Sequence, residues 1–255
     1  MTDPQTHPVD VRYGRECHLA LAVDADRLVT RSEAPQRIET LEDSIRNALA
    51  TPLDFPPLKQ AVIPGDRVVI ALDFDTPAAN TILAAIWDVL AEREVDPEDV
   101  LVLQPRGNGP AEPPDPRGDL PEEIRERIVW RIHDPQQAQG GLYLATSASG
   151  ERVYLAKELI EADLVIPIGP VAFDSVLGYR GTHSVLYPGL SNADSLSRAL
   201  GQGHRELEPS DQRPLRQLID DVGWLLGVQF CVQVVPAAGS GVAGVWAGLP
   251  ESVFR

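Results

Sequence analysis

The sequence has little positive charge and little cysteine. Its 255 residues include 22 lysines and arginines against 38 aspartates and glutamates, for a formal net charge of -16. A field of this sign repels phosphate backbones and anionic lipid, so we expect neither nucleic acid nor a membrane surface as a partner. The two cysteines, Cys17 and Cys231, lie in separate apolar runs, which predicts buried, reduced thiols and a reducing compartment.

Long apolar segments and several catalytic signatures are also missing. Residues 1–15 are polar and lack the apolar core of a signal peptide, and no later stretch is long and uncharged enough to span a bilayer. We therefore expect a cytoplasmic protein. There is no His-x-x-x-His or Cys-x-x-Cys pair, no G-x-S-x-G, no P-loop lysine and no G-x-G-x-x-G after a strand.

The alternation of apolar strands and amphipathic helices predicts an α/β fold. Arg67–Leu72 is typical of a strand buried on both faces, and with helix Ala78–Arg93 and strand Val100–Leu103 it forms a right-handed βαβ unit. We predict one doubly wound, mostly parallel sheet flanked by helices over residues 12–255, after a disordered N-terminus at residues 1–11. Later elements are predicted at Ile128–Ile132, Arg152–Leu155, Leu164–Ile168, Asn192–Leu200, Arg213–Leu226, Gln229–Val235 and Gly241–Ala247.

Two carboxylates follow the first buried strand. Asp73 and Asp75 are alternate residues, so they could share a ligand or a divalent cation. The segment resembles the first motif of haloacid-dehalogenase-type phosphohydrolases, with Asp73 as nucleophile, Asp75 as acid/base and Lys157 as phosphate anchor, although the motif's glycine is missing. The alternative is a turn that caps the helix at Ala78.

A glycine-rich segment at Gly178–Gly189 is the second candidate. Its glycines permit close approach to a ligand, and Arg180 and His183 bring positive charge, which favours an anion site. The alternative is a surface loop in which Arg180 pairs with a carboxylate. We expect this segment to meet the strand that ends at Asp73 and to form one pocket with it.

A His-Asp step ends another predicted strand. Adjacent residues of a strand point in different directions, so His133 and Asp134 are not expected to form a dyad. Asp134, ahead of Pro135, is predicted to cap a helix.

Several stretches occur together in an order that resembles a known family. They are Ile45–Pro52, Pro64–Ile70, Ala162–Ile166 with Gly169, Gly178–Gly189 and Gly244–Gly248. The most specific is Gly178-Tyr179-x-Gly181-x-x-Ser184-x-Leu186-x-Pro188-Gly189. Over residues 12–255 the sequence looks like the N-terminal domain of the nickel-pincer lactate racemase family.

This resemblance implies racemisation of a 2-hydroxy acid by reversible hydride transfer. The family's cofactor is a nickel pyridinium-3,5-bisthiocarboxylic acid mononucleotide tethered to a lysine, with two histidines as acid/base groups. The site lies in a cleft between this domain and a C-terminal one. The sequence ends at Arg255, about where that second domain would begin, so the cleft either needs a separate partner chain or a homo-oligomer to complete it or does not exist.

The family's catalytic positions are altered in this sequence. Asp73 is retained, whereas Thr76 stands where the family has an anion-binding arginine. Asn108 and Asp174 stand at the two acid/base histidines, and an amide cannot carry that proton. His183 stands at the tethering lysine; imidazole cannot form that tether, but it could ligate nickel or zinc.

The resemblance thus implies a set of candidate site residues. Catalytic candidates are Asn108, Asp174 and His183; cofactor-binding candidates are Asp73, Thr76, Arg180, Gly181 and His183, with His183 also the candidate metal ligand. A later histidine of the family falls near Leu200, where His204 could substitute. We expect Asp73, Asp174, Arg180 and His183 to line one cleft.

Three functions are compatible with these observations. The first is a divergent 2-hydroxy-acid racemase or epimerase homologue that binds a small carboxylate or a nucleotide-type cofactor. The second is a non-enzymatic binding or regulatory module on the same scaffold. The third is a metal-dependent phosphohydrolase that uses Asp73 and Asp75. The convergence of Asp73, Asp174 and His183 on one pocket would favour the first.

Overall fold

The computed structural model describes most of the chain, namely residues 6–13, 17–24, 26–27, 34–107, 112–136, 141–147, 150–174, 177–201 and 213–255. The strands defined in these residues are β1 (Thr6–Tyr13), β2 (Cys17–Asp24), β3 (Val68–Leu72), β4 (Val100–Pro105), β5 (Val129–His133), β6 (Gly141–Thr146), β7 (Arg152–Ala156), β8 (Leu164–Pro170), β9 (Ala172–Asp174), β10 (Gly178–Arg180), β11 (Cys231–Ala237) and β12 (Gly241–Gly248). The α-helices are α1 (Leu41–Ala50), α2 (Ala79–Glu92), α3 (Glu122–Arg127), α4 (Lys157–Ile160), α5 (Ala193–Gly201), α6 (Pro214–Leu225) and α7 (Pro250–Phe254).

Six strands form the central sheet in the order β12-β11-β8-β3-β4-β5. Neighbouring strands from β11 to β5 are parallel, and only the edge strand β12 is antiparallel to its neighbour β11. The predicted single, mostly parallel α/β sheet is therefore confirmed.

Strand β3 divides the core into two layers. Alternate residues of a strand point to opposite faces. Val68, Ile70 and Leu72 pack in one buried cluster, whereas Val69 and Ala71 pack in another on the opposite face. Because both faces are covered, all five residues of β3 are buried.

Helices cover both faces of the sheet. On the first face, α2 buries Ile82, Ile86 and Leu90, which recur at the spacing of one helical face, beside Ile45 of α1. On the second face, the buried cluster includes Ile219 of α6. This arrangement confirms the doubly wound prediction and leaves the carboxyl ends of β3, β4, β5 and β8 together at one edge.

The N-terminal segment differs from its prediction. We predicted disorder over residues 1–11, but residues 6–11 belong to β1, which pairs antiparallel with β2; residues 1–5 lie outside the described part. The pairing sets Val9 opposite Leu21 and Val11 opposite Leu19, and such cross-strand apolar pairs stabilise a hairpin.

The prediction for the two cysteines was half right. Cys231 is buried in β11, whereas Cys17 is exposed. In the described part of the chain β2 pairs only with β1, and most of its residues, Cys17 among them, are exposed. Within the same residues, no helix combines the length and the apolar character needed to cross a membrane.

Candidate functional site

A cavity of about 270 Å³ lies at the carboxyl edge of the sheet. Its wall is formed by residues that follow four neighbouring parallel strands: Asp73 after β3, Arg106 after β4, His133 at the end of β5, and Asp174 in β9 beyond β8. Arg180, four residues between Ser184 and Gly189, and apolar residues of α5 and α6 also line it. The predicted meeting of the Asp73 strand with the glycine-rich segment therefore occurs, at the edge where open α/β sheets bind ligands.

Asp73 and Arg180 form the buried ion pair of this cavity. The Arg180 Nη2 and Nε groups donate to Asp73 Oδ2 at 3.0 and 3.2 Å, and the backbone N–H of Phe74 donates to Asp73 Oδ1 at 2.8 Å. The side chain of Asp73 is only 7 % exposed and that of Arg180 16 %. Charge of both signs is thus held at the end of β3.

Arg180 also binds Asp75. Its Nη1 donates to Asp75 Oδ2 at 3.1 Å, its Nη2 donates to Asp75 Oδ1, and its guanidinium lies over the ring of Phe74, 4.8 Å from the centroid. The two aspartates share a cation, as the sequence suggested, but the cation is this arginine. The alternative in which Arg180 pairs with a carboxylate is the arrangement observed.

The ion pair shifts the proton affinities of its members. Burial raises the pKa of Asp73, and Asp75 adds to the rise, while Arg180 opposes it without cancelling it. Burial disfavours the charged Arg180 guanidinium, but the attraction of Asp73 and Asp75 outweighs it and raises the pKa of Arg180. Asp73 therefore takes up a proton more readily than an exposed aspartate does.

The other predicted residues have different positions. Asp174 lines the cavity, and its Oδ1 accepts the backbone N–H of Leu177 at 2.8 Å. Thr76 is buried, and its hydroxyl donates to the carbonyl of Asp73 at 2.9 Å, closing the turn after β3. Gly181 has φ +145°, and a β-carbon there would clash with Gln233. Asn108 and His204 lie outside the described residues.

His183 does not face the same cavity as Asp73 and Asp174. It lines a second cavity of about 410 Å³, together with Asp220, Trp224 and Phe254. Its Nδ1 lies 3.4 Å from Asp220 Oδ1, and its buried Nε2 has no partner among the described residues. The expectation that His183 would join Asp73, Asp174 and Arg180 in one cleft is therefore wrong, because the chain turns at Gly181–Thr182 and sends Arg180 and His183 to different sides.

The surroundings of His183 hold it in place. Gly223 of α6 packs against its ring so closely that a β-carbon at this position would clash with the imidazole. Asp220 accepts hydrogen bonds from Arg216 as well, and despite its partial burial these partners lower the pKa of Asp220. His183 is thus locked onto α6.

His133 is a cavity residue that the sequence analysis considered only as half of a His-Asp step and did not assign to the site. It is buried, it lines the cavity, and its Nε2 lies 2.8 Å from the carbonyl oxygen of Ser191. A carbonyl only accepts, so Nε2 carries the proton and Nδ1 is left without a protein partner among the described residues. The signal in the sequence was that His133 ends a predicted strand. In the structure this strand is β5, which is parallel to β4, and His133 lies opposite Pro105 at the end of β4.

The phosphohydrolase geometry is not formed. Lys157, the predicted phosphate anchor, begins α4. The next residue, Glu158, lines a surface depression together with Arg67, Val100 and Val129, which lie at or just before the starts of β3, β4 and β5. Lys157 therefore lies at the amino edge of the sheet, opposite the edge that carries Asp73. Asp73 and Asp75 are already bound by Arg180.

The sequence of this chain matches the model of a known protein family. A sequence model described as Lactate racemase N-terminal domain matches residues 13–205, which is well over half of the chain. The chain belongs to the lactate racemase N-terminal domain family. No curated protein matches the chain.

Solved structures share the fold of this family member. The lactate racemase apoprotein of Thermoanaerobacterium thermosaccharolyticum is 16 % identical with a TM-score of 0.74, and the match covers 97 % of this chain and 60 % of that one. A Thermotoga maritima protein solved by the Northeast Structural Genomics Consortium is 14 % identical with a TM-score of 0.60, covering 89 % and 58 %. The chain thus spans about three fifths of the length of these relatives.

The cavity does not fit a lysine-tethered nickel nucleotide. The sequence contains two lysines, Lys59 and Lys157, and neither lines the cavity. In the described part of the chain, no three His, Cys, Asp or Glu side chains are grouped so that they could hold a metal ion. The lactate racemase fold is therefore present here around a cavity whose buried ion pair is Asp73–Arg180.

Proposed function

We propose that this lactate racemase family domain binds a small 2-hydroxy carboxylate in the cavity at the carboxyl edge, without a lysine-tethered nucleotide. The observation that carries the proposal is the arrangement of Arg180, His133 and Asp174 around one cavity. Its volume of about 270 Å³ lies just below the range of about 300–1,000 Å³ that is usual for drug-sized ligands. A ligand of a few heavy atoms suits this volume better than a mononucleotide.

The cavity offers a partner for each part of such a ligand. Arg180 and Arg106 supply cationic N–H groups for a carboxylate. The Nδ1 atom of His133 is an acceptor for the ligand's hydroxyl group, while Leu177 and Val185 offer apolar contacts to a short side chain.

Binding without turnover is the form of this proposal that the site favours. The family's acid/base positions hold Asn108 and Asp174, and His183 at the tether position faces the second cavity. Epimerase activity is the second candidate, because His133 and Asp174 share the first cavity and could exchange protons with a bound ligand.

Calorimetric titration tests the proposed binding. L-lactate and D-lactate are compared with propionate, which has the same carbon skeleton without the hydroxyl group. We expect lactate to bind about five- to tenfold more tightly than propionate, since one hydrogen bond contributes about 1 kcal/mol. Equal affinity for lactate and propionate, or no binding of lactate at millimolar concentration, would refute the proposal.

The variant His133→Gln examines the hydroxyl contact. A glutamine amide can still donate to the carbonyl of Ser191, but its acceptor oxygen does not occupy the position of the ring Nδ1. We expect lactate affinity to fall to that of propionate and propionate affinity to stay unchanged. Asp134→Asn is the matched control, because Asp134 bonds the backbone of Gln136 in an exposed turn and does not line the cavity. Chiral chromatography of D- and L-lactate incubated with the protein distinguishes binding from epimerisation.

A further inference from the structure

The positive charge of Arg180 is more than neutralised by its two carboxylate partners. Four of its five N–H groups are used by Asp73 and Asp75. One guanidinium faces two carboxylates, so the cluster carries a net charge of about -1 when both are ionised. In this state Arg180 is a poor anchor for a second anion.

The other charged groups of the cavity do not remove this obstacle. Arg106 is exposed and pairs with Glu112 at 3.2 Å, and Asp174 adds a further negative charge to the wall. An incoming carboxylate therefore meets a site that is also negatively charged. Binding becomes favourable when one of the carboxylates is neutralised at the same time.

Asp73 is the carboxylate best placed to be neutralised. Its side chain is 7 % exposed, whereas that of Asp75 is 48 % exposed and keeps contact with water. Because burial already raises the pKa of Asp73, its protonation at neutral pH costs less than that of an exposed aspartate. Arg180 retains Asp75 as its counterion when Asp73 becomes neutral.

We propose that Arg180 anchors the carboxylate of the ligand, and that Asp73 takes up one proton from solvent for each anion bound. This inference rests on the proposed function. The proton converts the Asp73 carboxylate to a carboxylic acid, whose O–H then donates to the ligand carboxylate beside the remaining Arg180 N–H. No bond of the ligand is made or broken, and the site takes up the equivalent of a neutral acid.

The groups that could compete for this proton are few. Arg180 contacts Asp73 directly, Asp75 binds the same guanidinium, and His133, Asp174 and Arg106 share the cavity wall. Among these, Asp75, His133 and Asp174 are the alternative acceptors. The experiment therefore compares Asp73→Asn with His133→Gln and Asp174→Asn.

Titration of the 255-residue protein with L-lactate, in PIPES and in imidazole at pH 6, 7 and 8, measures proton uptake through the different ionisation enthalpies of the buffers. At pH 7 and above we expect about one proton per bound lactate and an affinity that weakens up to tenfold per pH unit. Asp73→Asn is expected to bind lactate without proton uptake and with little dependence on pH. His133→Gln and Asp174→Asn are expected to keep the uptake.

The outcomes separate this inference from the proposed function. Lactate binding without proton uptake, or uptake that persists in Asp73→Asn, overturns the inference and leaves the proposed function standing. Absence of lactate binding in both wild type and Asp73→Asn overturns the proposed function and the inference with it. If Asp73→Asn does not fold, carboxyl NMR of the wild type decides: a carboxylate at Asp73 that stays ionised when lactate is added at pH 7 overturns the inference.

Discussion

At the residue scale, Arg180 sets the chemistry of the site. Its guanidinium lies between Asp73 and Asp75 and over the ring of Phe74. A pair of carboxylates at alternate positions is a common cation site, and here an internal arginine occupies it. The negative charge of Asp73 and Asp75, which could hold a metal ion, instead holds Arg180, whose guanidinium can bind a carboxylate.

Gly223 provides a test of how tightly His183 is packed. We expect Gly223→Ala to lower the free energy of unfolding by about 1–3 kcal/mol, because the new methyl group would force the His183 ring to move within a packed region. Urea denaturation followed by tryptophan fluorescence measures the change.

The control for this substitution is Gly201→Ala, at the end of α5, where a β-carbon would meet nothing within 4 Å. There the alanine is expected to leave stability unchanged or to raise it by up to about 1 kcal/mol, through the lower entropy of the unfolded chain. Equal stability of the two variants would show that the space beside His183 is not restrictive.

At the element scale, helix α6 positions the glycine-rich segment. Arg216 of α6 donates to the carbonyl groups of Tyr179 and Gly181 and, at 2.6 Å, to the hydroxyl of Thr182. Its guanidinium also lies 5.4 Å from the centroid of the Tyr179 ring. One side chain of the helix therefore holds the residues on both sides of Arg180.

Replacement of Arg216 by lysine should disturb both stability and binding. A single ammonium group cannot reproduce the planar fork, so Arg216→Lys is expected to lose about 1.5–3 kcal/mol of unfolding free energy. Lactate affinity should also fall, because Arg180 is no longer held by its neighbours. Thermal denaturation and calorimetric titration measure the two effects.

Arg46→Lys serves as the comparison for Arg216→Lys. Arg46 forms an exposed ion pair with Asp43 at 3.7 Å, and pairs of this kind contribute at most about 1 kcal/mol. A loss for Arg216→Lys that is no larger than that for Arg46→Lys would contradict the role assigned to Arg216.

At the scale of the whole molecule, the chain combines the lactate racemase fold with two lysines that both lie away from the cavity. Protein purified from cells that make the nickel nucleotide is expected to show the mass of the sequence, 27.7 kDa, by intact mass spectrometry. The reason is that no lysine amine is available in the cavity to form the tether.

The variant His183→Lys sharpens this expectation. It places a lysine at the position that the sequence resemblance assigns to the family's tether, but position 183 faces the second cavity, so this variant should also remain without an adduct. An added mass of mononucleotide size on the wild type would refute the absence of a tether. The same mass on His183→Lys alone would show that the cofactor reaches position 183.

The order of strands and helices was decided by local sequence. Apolar residues with a period of two or 3.6 bury the same faces wherever the element lies, so β3, α2 and β4 were predicted within a few residues of their observed bounds. The β1 strand was missed because its apolar alternation is short and contains proline.

Only the tertiary structure decided which side chains meet. The parallel order of the strands places Asp73 and the glycine-rich segment at the same carboxyl edge of the sheet. The separation of Arg180 from His183, and the entry of His133 into the cavity, depended on loop directions and on strand register, which join residues distant in sequence. Local sequence patterns carry no information about the loop directions, because packing against α6 and the neighbouring strands sets these directions.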